Sequence, residues 1–262
     1  MSAIFWWQAL LLGAIQGITE WFPVSSSGHL VIAQQLLGLG NLVIYDIVLH
    51  LGSVISIIIV LWKDIVAILK GLVHGDQETW VFVIKLAIAS VPVGIFGILF
   101  DNVVESTFSQ VWVVGIGWLI TGTFLFMSRW PREKKQEFTY KRAMIVGLFE
   151  AISIFPGVSR SGSTTVGGLV QGIKHVEAGR FAFLLSIPAI LGAFIFKIGA
   201  ITLVTVEDLL PITISLIVTI LLSVITLRLT MRILLAKKYD LFAFYCWIAG
   251  IVVLILYFAI GF

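Results

Sequence analysis

Apolar positions along this chain come in long unbroken runs, not in a two-residue alternation or a single helical stripe. Two of them, "IVLHLGSVISIIIVLW" at 47–62 and "LLPITISLIVTILLSVITL" at 209–227, approach or reach the roughly 20 residues that a helix needs to cross a bilayer. Runs at 81–100, 111–128, 181–196 and 241–261 read the same way. A membrane β-barrel would alternate apolar and polar positions in segments of about ten residues, and none of these runs does. The pattern predicts an all-α polytopic membrane protein. Polar residues interrupt it in three places: the clearly soluble "RWPREKKQEFTYKR" at 129–142, and two apolar-flanked motifs, "QGITEWFPVSSSGH" at 16–29 and "PGVSRSGST" at 156–164.

The two motifs are copies. At a fixed offset of 134, "GAIQGITEWFPVSSSGH" (13–29) lies over "GLFEAISIFPGVSRSGS" (147–163) without a gap. Gly13, Ile18, Val24, Ser25, Ser27 and Gly28 meet identical residues, Gln16 meets Glu150, and Thr19 meets Ser153. The same offset places Lys63 on Lys197. This divides one membrane domain into a first repeat, 1–128, a basic linker, 129–142, and a second repeat, 143–262. Short cytoplasmic loops are enriched in Lys and Arg. That rule puts the linker, with six of them, and "RLTMRILLAKK" at 228–238 inside, and the acidic "DNVVES" (101–106) and "TVEDL" (205–209) outside. Alternating from these anchors, every matched pair of spans runs in opposite directions, the signature of an inverted-topology repeat. The motif segments must then enter and leave on one side, as re-entrant broken helices meeting near the midplane, where non-helical backbone is tolerated only around protein or a cavity.

Composition sharpens the picture. The chain is 60% hydrophobic and 12% charged, with a mean hydropathy of +1.10, whereas a soluble domain carries about a quarter charged residues. The pI of about 9.0 does not point to nucleic acid, because the excess positive charge lies between spans. The N-terminus has neither a basic start nor a small-residue cleavage site, so no removable signal peptide is expected. A single cysteine, Cys246, excludes an intramolecular disulfide and a cysteine-based metal site. The tryptophans near span ends, Trp62, Trp80, Trp112 and Trp130, fit interfacial belts. Lys63 and Lys197 are expected to snorkel to the interface, and His74 and His175 to be solvated in loops.

Chemistry concentrates in the motifs. Gln16 and Glu20 are four apart and share a helix face; Pro23 then breaks the helix. Ser25, Ser26 and Ser27 follow, serines being natural N-caps, and a helix N-terminus is an anion site. In the second copy Gly157 can take a positive φ, and Arg160 supplies a permanent charge. Two serine-lined helix starts with one arginine between them suggest a cradle for phosphate or diphosphate. A carboxylate at membrane depth, Glu20, is functional by default. His29 is either a hydrogen-bonded core residue or a proton-transfer group; His50, within a span, is a weaker candidate of the same kind.

Together, "QGITE", "PVSSSGH" and "PGVSRSG", with "LHLGS" after the first motif, resemble the bacitracin-resistance, or undecaprenyl-pyrophosphate phosphatase, family of membrane enzymes. The resemblance implies hydrolysis of a polyprenyl diphosphate to the monophosphate and inorganic phosphate. That reaction recycles the lipid carrier of cell-envelope polymers and confers bacitracin resistance. It further implies Glu20, Ser26, His29 and Arg160 as the catalytic set, with Ser26 activated by His29, or else water, as the nucleophile. Ser25, Ser27, Gly28, Ser159, Ser161, Gly162 and Thr164 would bind the diphosphate. Gln16 and Glu20 would hold Mg²⁺ or Ca²⁺, hard cations that prefer oxygen ligands. Many members carry Glu at the first position and Gln at its second-half counterpart; here Gln16 and Glu150 look exchanged, which makes Glu150 a candidate for a compensating role. The expected partners are the polyprenyl diphosphate lipid and the bilayer, with no nucleic acid; a homodimer is compatible with the sequence. The expected location is the cell membrane, with the site opening to the extracytoplasmic side. The rival from another class is a transporter or flippase of an anionic lipid, because inverted repeats with broken helices also build transporters.

Overall fold

The apolar runs fold as helices throughout. In the computed structural model, residues 4–40, 42–130, 137–197 and 208–260 are described, and every regular element among them is an α-helix. The first motif lies on α1 (Trp6–Thr19) and α2 (Ser26–Leu36), its copy on α8 (Tyr140–Ile152) and α9 (Arg160–Leu169). Between them run α3 (Val43–Val60), α4 (Trp62–Val73), α5 (Gln77–Leu99), α6 (Asp101–Thr107) and α7 (Val111–Met127). The chain ends in α10 (His175–Lys197), α11 (Leu209–Leu235) and α12 (Leu241–Ile260). Helices α5, α10, α11 and α12 are each long and apolar enough to cross a bilayer. The α3–α4 pair, bent by 79°, and the α6–α7 pair, bent by 98°, raise the number of spans to six if each pair is one. This is a multi-pass membrane protein.

Helix starts obey the offset seen in the sequence, since α1 and α8, and likewise α2 and α9, begin 134 residues apart. Packing follows it too. Helix α1 packs chiefly on α11, its counterpart α8 packs on α5, and α7 packs on its own counterpart α12. At the offset of 134 the pairing of α1 with α11 corresponds to that of α8 with α5.

With no hydrophobic drive between helices in lipid, small residues and hydroxyls set their approach. One face of α11 buries Ser215, Thr219, Ser223, Thr226 and Thr230. The Thr219 hydroxyl donates to the Gly13 carbonyl at 3.1 Å and the Thr226 hydroxyl to the Gly17 carbonyl at 2.7 Å. A Cβ at Gly13 would lie 2.5 Å from the Ser215 carbonyl oxygen, so only glycine permits this contact.

Several local expectations are corrected. "DNVVES" at 101–106 is not a loop; it forms most of α6. The run at 47–62 ends at a bend of 79°, and the chain continues as α4, which carries Lys63 in its first turn. His175 opens α10 and is only 6% exposed, not solvated, because "KHVEAGR" is mostly helix. Lys197 does not snorkel freely; its Nζ meets Asp101 Oδ2 at 2.7 Å and Glu105 Oε2 at 2.9 Å on α6. Trp62, Trp80 and Trp130 are exposed, as belts require, whereas Trp118 is buried against the first motif and Trp21, within that motif, is buried against Ser56 and Phe183. Residues 131–136 of the linker and 205–207 of the acidic "TVEDL" lie outside the described residues.

Candidate active site

Each motif is a helix, a corner and a second helix whose N-terminus a serine caps. In the first copy α1 ends at Thr19, Glu20 continues its last turn, and the chain turns at Pro23. Ser25 then adopts φ 65°, a conformation uncommon outside glycine, and its Oγ accepts from the Gly28 amide at 3.3 Å. In the second copy Gly157 takes the corner at φ 90°, and Ser159 Oγ accepts from the Gly162 amide at 3.1 Å. Ser25 and Ser27 hydroxyls lie 3.1 Å apart, and their counterparts Ser159 and Ser161 lie 3.3 Å apart. Both corners are bolted to α7. The Trp118 indole donates to the Val24 carbonyl at 2.7 Å; Thr121 Oγ1 donates to the Gly157 carbonyl at 2.8 Å and accepts from the Ser159 amide at 2.9 Å.

The copies also clasp each other. A Cβ on Gly28 would lie 3.1 Å from Gly157 Cα, and one on its counterpart Gly162 would lie 3.2 Å from Pro23 Cβ. Each helix N-terminus is therefore seated on the other copy's corner, and the absence of a side chain at both glycines permits it.

Glu20 is where the two copies join chemically. Its carboxylate is ion-paired with Arg160 of the second copy. Its Oε2 accepts from Ser26 Oγ at 2.5 Å and from Gln16 Nε2 at 3.0 Å. The ring of His50 on α3 places Nε2 3.4 Å from the same oxygen, while its Nδ1 is 2.7 Å from the Asp46 carbonyl. Ser26 and Arg160 occupy the same position of the repeat, 134 apart, yet one is a hydroxyl and the other a cation, and both engage Glu20. Glu20 is only 6% exposed, while the Arg160 side chain keeps 18% exposure, so removing Arg160 would strand a buried carboxylate.

A cavity of about 230 Å³ opens onto this cluster. The motifs and α3 supply its polar lining, Glu20, Ser25, Ser26, Ser27, Asp46, His50, Ser153, Ser159 and Arg160; α5, α10 and the end of α6 supply apolar walls, Val93, Phe108, Ala189, Ile190 and Ala193. Asp46 is itself held by Gln34 Nε2 at 2.6 Å. The caps occupy the Gly28 and Gly162 amides; the amides ahead of them in α2 and α9 have no partner within the helix and carry the positive end of the helix dipole.

The structure thus brings together Gln16, Glu20, Ser25, Ser26, Ser27, Gly28, Ser159, Arg160, Ser161 and Gly162. Ser161 Oγ donates to the Glu20 carbonyl at 3.3 Å, and Thr164 Oγ1 donates to the Arg160 carbonyl at 2.7 Å, within α9. His29 is turned elsewhere. Its Nδ1 lies 2.7 Å from the Ser25 carbonyl and its Nε2 2.6 Å from the Tyr245 hydroxyl, with its ring against Trp118. His50 reaches the cluster because α3 packs on α1, a relation that the 29 residues between Glu20 and His50 do not reveal. Glu150 is fully buried, and neither carboxylate oxygen accepts a hydrogen bond from a described residue.

No three His, Cys, Asp or Glu residues cluster to hold a metal ion among the described residues. The remaining oxygen donors beside Glu20 are modest: Gln16 Oε1 is buried and accepts no hydrogen bond from them. One carboxylate and one amide oxygen fit a hard cation held largely by substrate phosphates, as Mg²⁺ commonly is, and do not fit a cage built from protein alone.

Comparison with known proteins agrees over nearly the whole chain. The sequence profile described as Bacitracin resistance protein BacA matches residues 9–252. A protein of Thermosipho africanus named undecaprenyl-diphosphatase is 38% identical over 245 residues, covering 93% of this chain and 97% of that one. Proteins of the same name from Halothermothrix orenii and Methanosphaera stadtmanae are 38% identical over 256 residues and 34% identical over 267; each alignment covers 95% of this chain, with 97% and 96% of theirs.

Proposed function

The chain belongs to the bacitracin resistance protein BacA family, and on that premise we propose that it hydrolyses undecaprenyl diphosphate to the monophosphate and inorganic phosphate within the membrane. The observation that carries the reading is the joint grip of Ser26 and Arg160 on Glu20 in a cavity lined by polar residues of the two motifs and apolar residues of α5 and α10.

Arg160 and the forward amides of α2 and α9 bind the diphosphate, leaving its ester end toward the apolar wall. Arginine suits this role, since its fork of donors matches phosphate oxygens. Binding draws the guanidinium from Glu20 toward the phosphates, which unmasks the carboxylate. Ser26 Oγ, already donating to Glu20, passes it the proton as the oxygen attacks the terminal phosphorus. The bond to the bridging oxygen breaks, and polyprenyl phosphate leaves as that oxygen takes the proton from Glu20, which restores the carboxylate. Arg160 and the helix N-termini stabilise the charge on the transferring group. Water then cleaves the phosphoserine with Glu20 again as the proton acceptor. His29, bound to Tyr245, fixes the start of α2; direct attack by water uses the same Glu20. A divalent cation, Mg²⁺ or Ca²⁺, held by Glu20 and Gln16 Oε1, would neutralise diphosphate charge when bound. The cavity lies near the α6 end of α5, the side assigned outside by the charge pattern, so the site opens to the extracytoplasmic face of the cell membrane.

The test is phosphate release from undecaprenyl diphosphate by detergent-purified protein, with metal and then with chelator. Release that stops with chelator and falls by about 10²–10³ in Arg160→Ala supports the reading. A well-folded wild type that binds the lipid without releasing phosphate sinks it in favour of transport.

A further inference from the structure

The apolar lining of the cavity is not a random wall. Val93, Ala189 and Ala193 line it, and Val93 and Ala189 each follow a proline, Pro92 inside α5 and Pro188 inside α10. A proline within a helix deletes one backbone bond and crowds the preceding turn, so two helices that pack on each other each carry a weakened turn next to a residue that lines the cavity. From there, positions four apart continue along both helices, Val93 and Gly97 on α5 and Ala189, Ala193 and Lys197 on α10, while Asp101 opens α6 just beyond the end of α5. Gly97 faces Ile154 of the cavity wall, with a Cβ there only 3.6 Å from Ile154 Cδ1. The two rows of mostly small residues converge where Lys197 Nζ meets Asp101 Oδ2 at 2.7 Å. Phe108, at the end of α6, lines the cavity from the same end.

We propose that this cleft between α5 and α10 is the berth for the first isoprene units of the substrate's hydrocarbon chain, closed at its far end by the Lys197–Asp101–Glu105 cluster. The proposal rests on the diphosphate lying against the polar lining. The occupant follows from continuity: one cavity joins charged phosphate ligands to an apolar slot whose outer flanks, Ile95, Ile98, Leu191 and Ile195, are exposed toward lipid. A prenyl diphosphate has that same polarity along its length. Small side chains at Gly97, Ala189 and Ala193 leave width for a methyl-branched chain, so residue size in these rows selects the lipid.

A cysteine probe tests this without requiring turnover, because the sole native cysteine, Cys246, is fully buried. Ala193→Cys is labelled with a maleimide in detergent, alone, with undecaprenyl diphosphate, or with inorganic diphosphate. Protection of about tenfold by the lipid and none by inorganic diphosphate is expected; equal protection by both, or by neither, overturns the berth. In turnover, Ala193→Phe should raise KM for undecaprenyl diphosphate about tenfold through overpacking while sparing isopentenyl diphosphate. Gly192→Ala, whose added Cβ meets no atom within 4 Å, is the control and should change neither. Equal loss on both substrates in Ala193→Phe also overturns the berth. A wild type that hydrolyses neither diphosphate removes the phosphatase reading, and the labelling comparison still decides where the chain lies.

Discussion

At the scale of single residues, Glu20 carries more relationships than any other side chain in the site, and its energetics are testable apart from its chemistry. Arg160→Met leaves a buried carboxylate without its counter-charge, a loss of about 3–5 kcal/mol. Adding Glu20→Gln removes the stranded charge and should recover most of that stability but none of the phosphatase rate. Unfolding in mixed detergent, run beside the release assay, separates the two. Ser25 offers a second check, because it combines an N-cap with φ 65°. Ser25→Ala keeps the strained backbone and loses the cap, costing about 1 kcal/mol. Ser25→Gly loses the same cap but tolerates the conformation, so its thermal midpoint should lie above that of the alanine variant; the reverse order would show that the serine conformation is unstrained. Glu20 and Arg160 were legible in the sequence because a lone charge among apolar residues has few bland explanations. The bond from Ser26 to Glu20 was not, since a six-residue separation across a proline corner has no fixed geometry.

At the scale of helices, the contact between α1 and α11 is made by glycine on one side and hydroxyls on the other. A single interhelical hydrogen bond in a membrane is worth about 0.6 kcal/mol, so Thr226→Val should shift unfolding only slightly. Gly13→Ala instead drives a methyl into the Ser215 backbone, which cannot move as a side chain end can, and should cost about 1–3 kcal/mol. Comparable losses for the two variants would mean that the hydrogen bonds, not the close approach, hold the helices. The breaks show a similar division. Pro23 and the Pro156–Gly157 corner announced themselves in the sequence. The bend at Leu61 and the helix at 101–107 did not, because an apolar run carries no mark where it changes direction.

At the scale of the molecule, the two halves share element starts, capping geometry and the glycine-on-corner clasp, and the crossed packing of α1 with α11 and α8 with α5 relates them. The proposed orientation places the loop at Gly75 inside and α6 outside. With Cys246 buried, Gly75→Cys should react with an impermeant maleimide only from the cytoplasmic side, and Ser106→Cys only from the outer side. Labelling of both from one side would refute the alternation on which the outward-facing site depends. What the sequence determined by itself was what local chemistry and periodicity carry. Those are helices by apolar length, two copies by their offset, capped breaks by proline and serine, and the charged residues set among them. The tertiary structure alone decided which groups meet: that Ser26 and Arg160 share one carboxylate, that His50 arrives from α3 while His29 faces Tyr245, and that Lys197 closes on α6. Those pairings depend on how helices distant in the chain cross, and in lipid that is settled by the fit of small residues, which no run of hydrophobicity encodes.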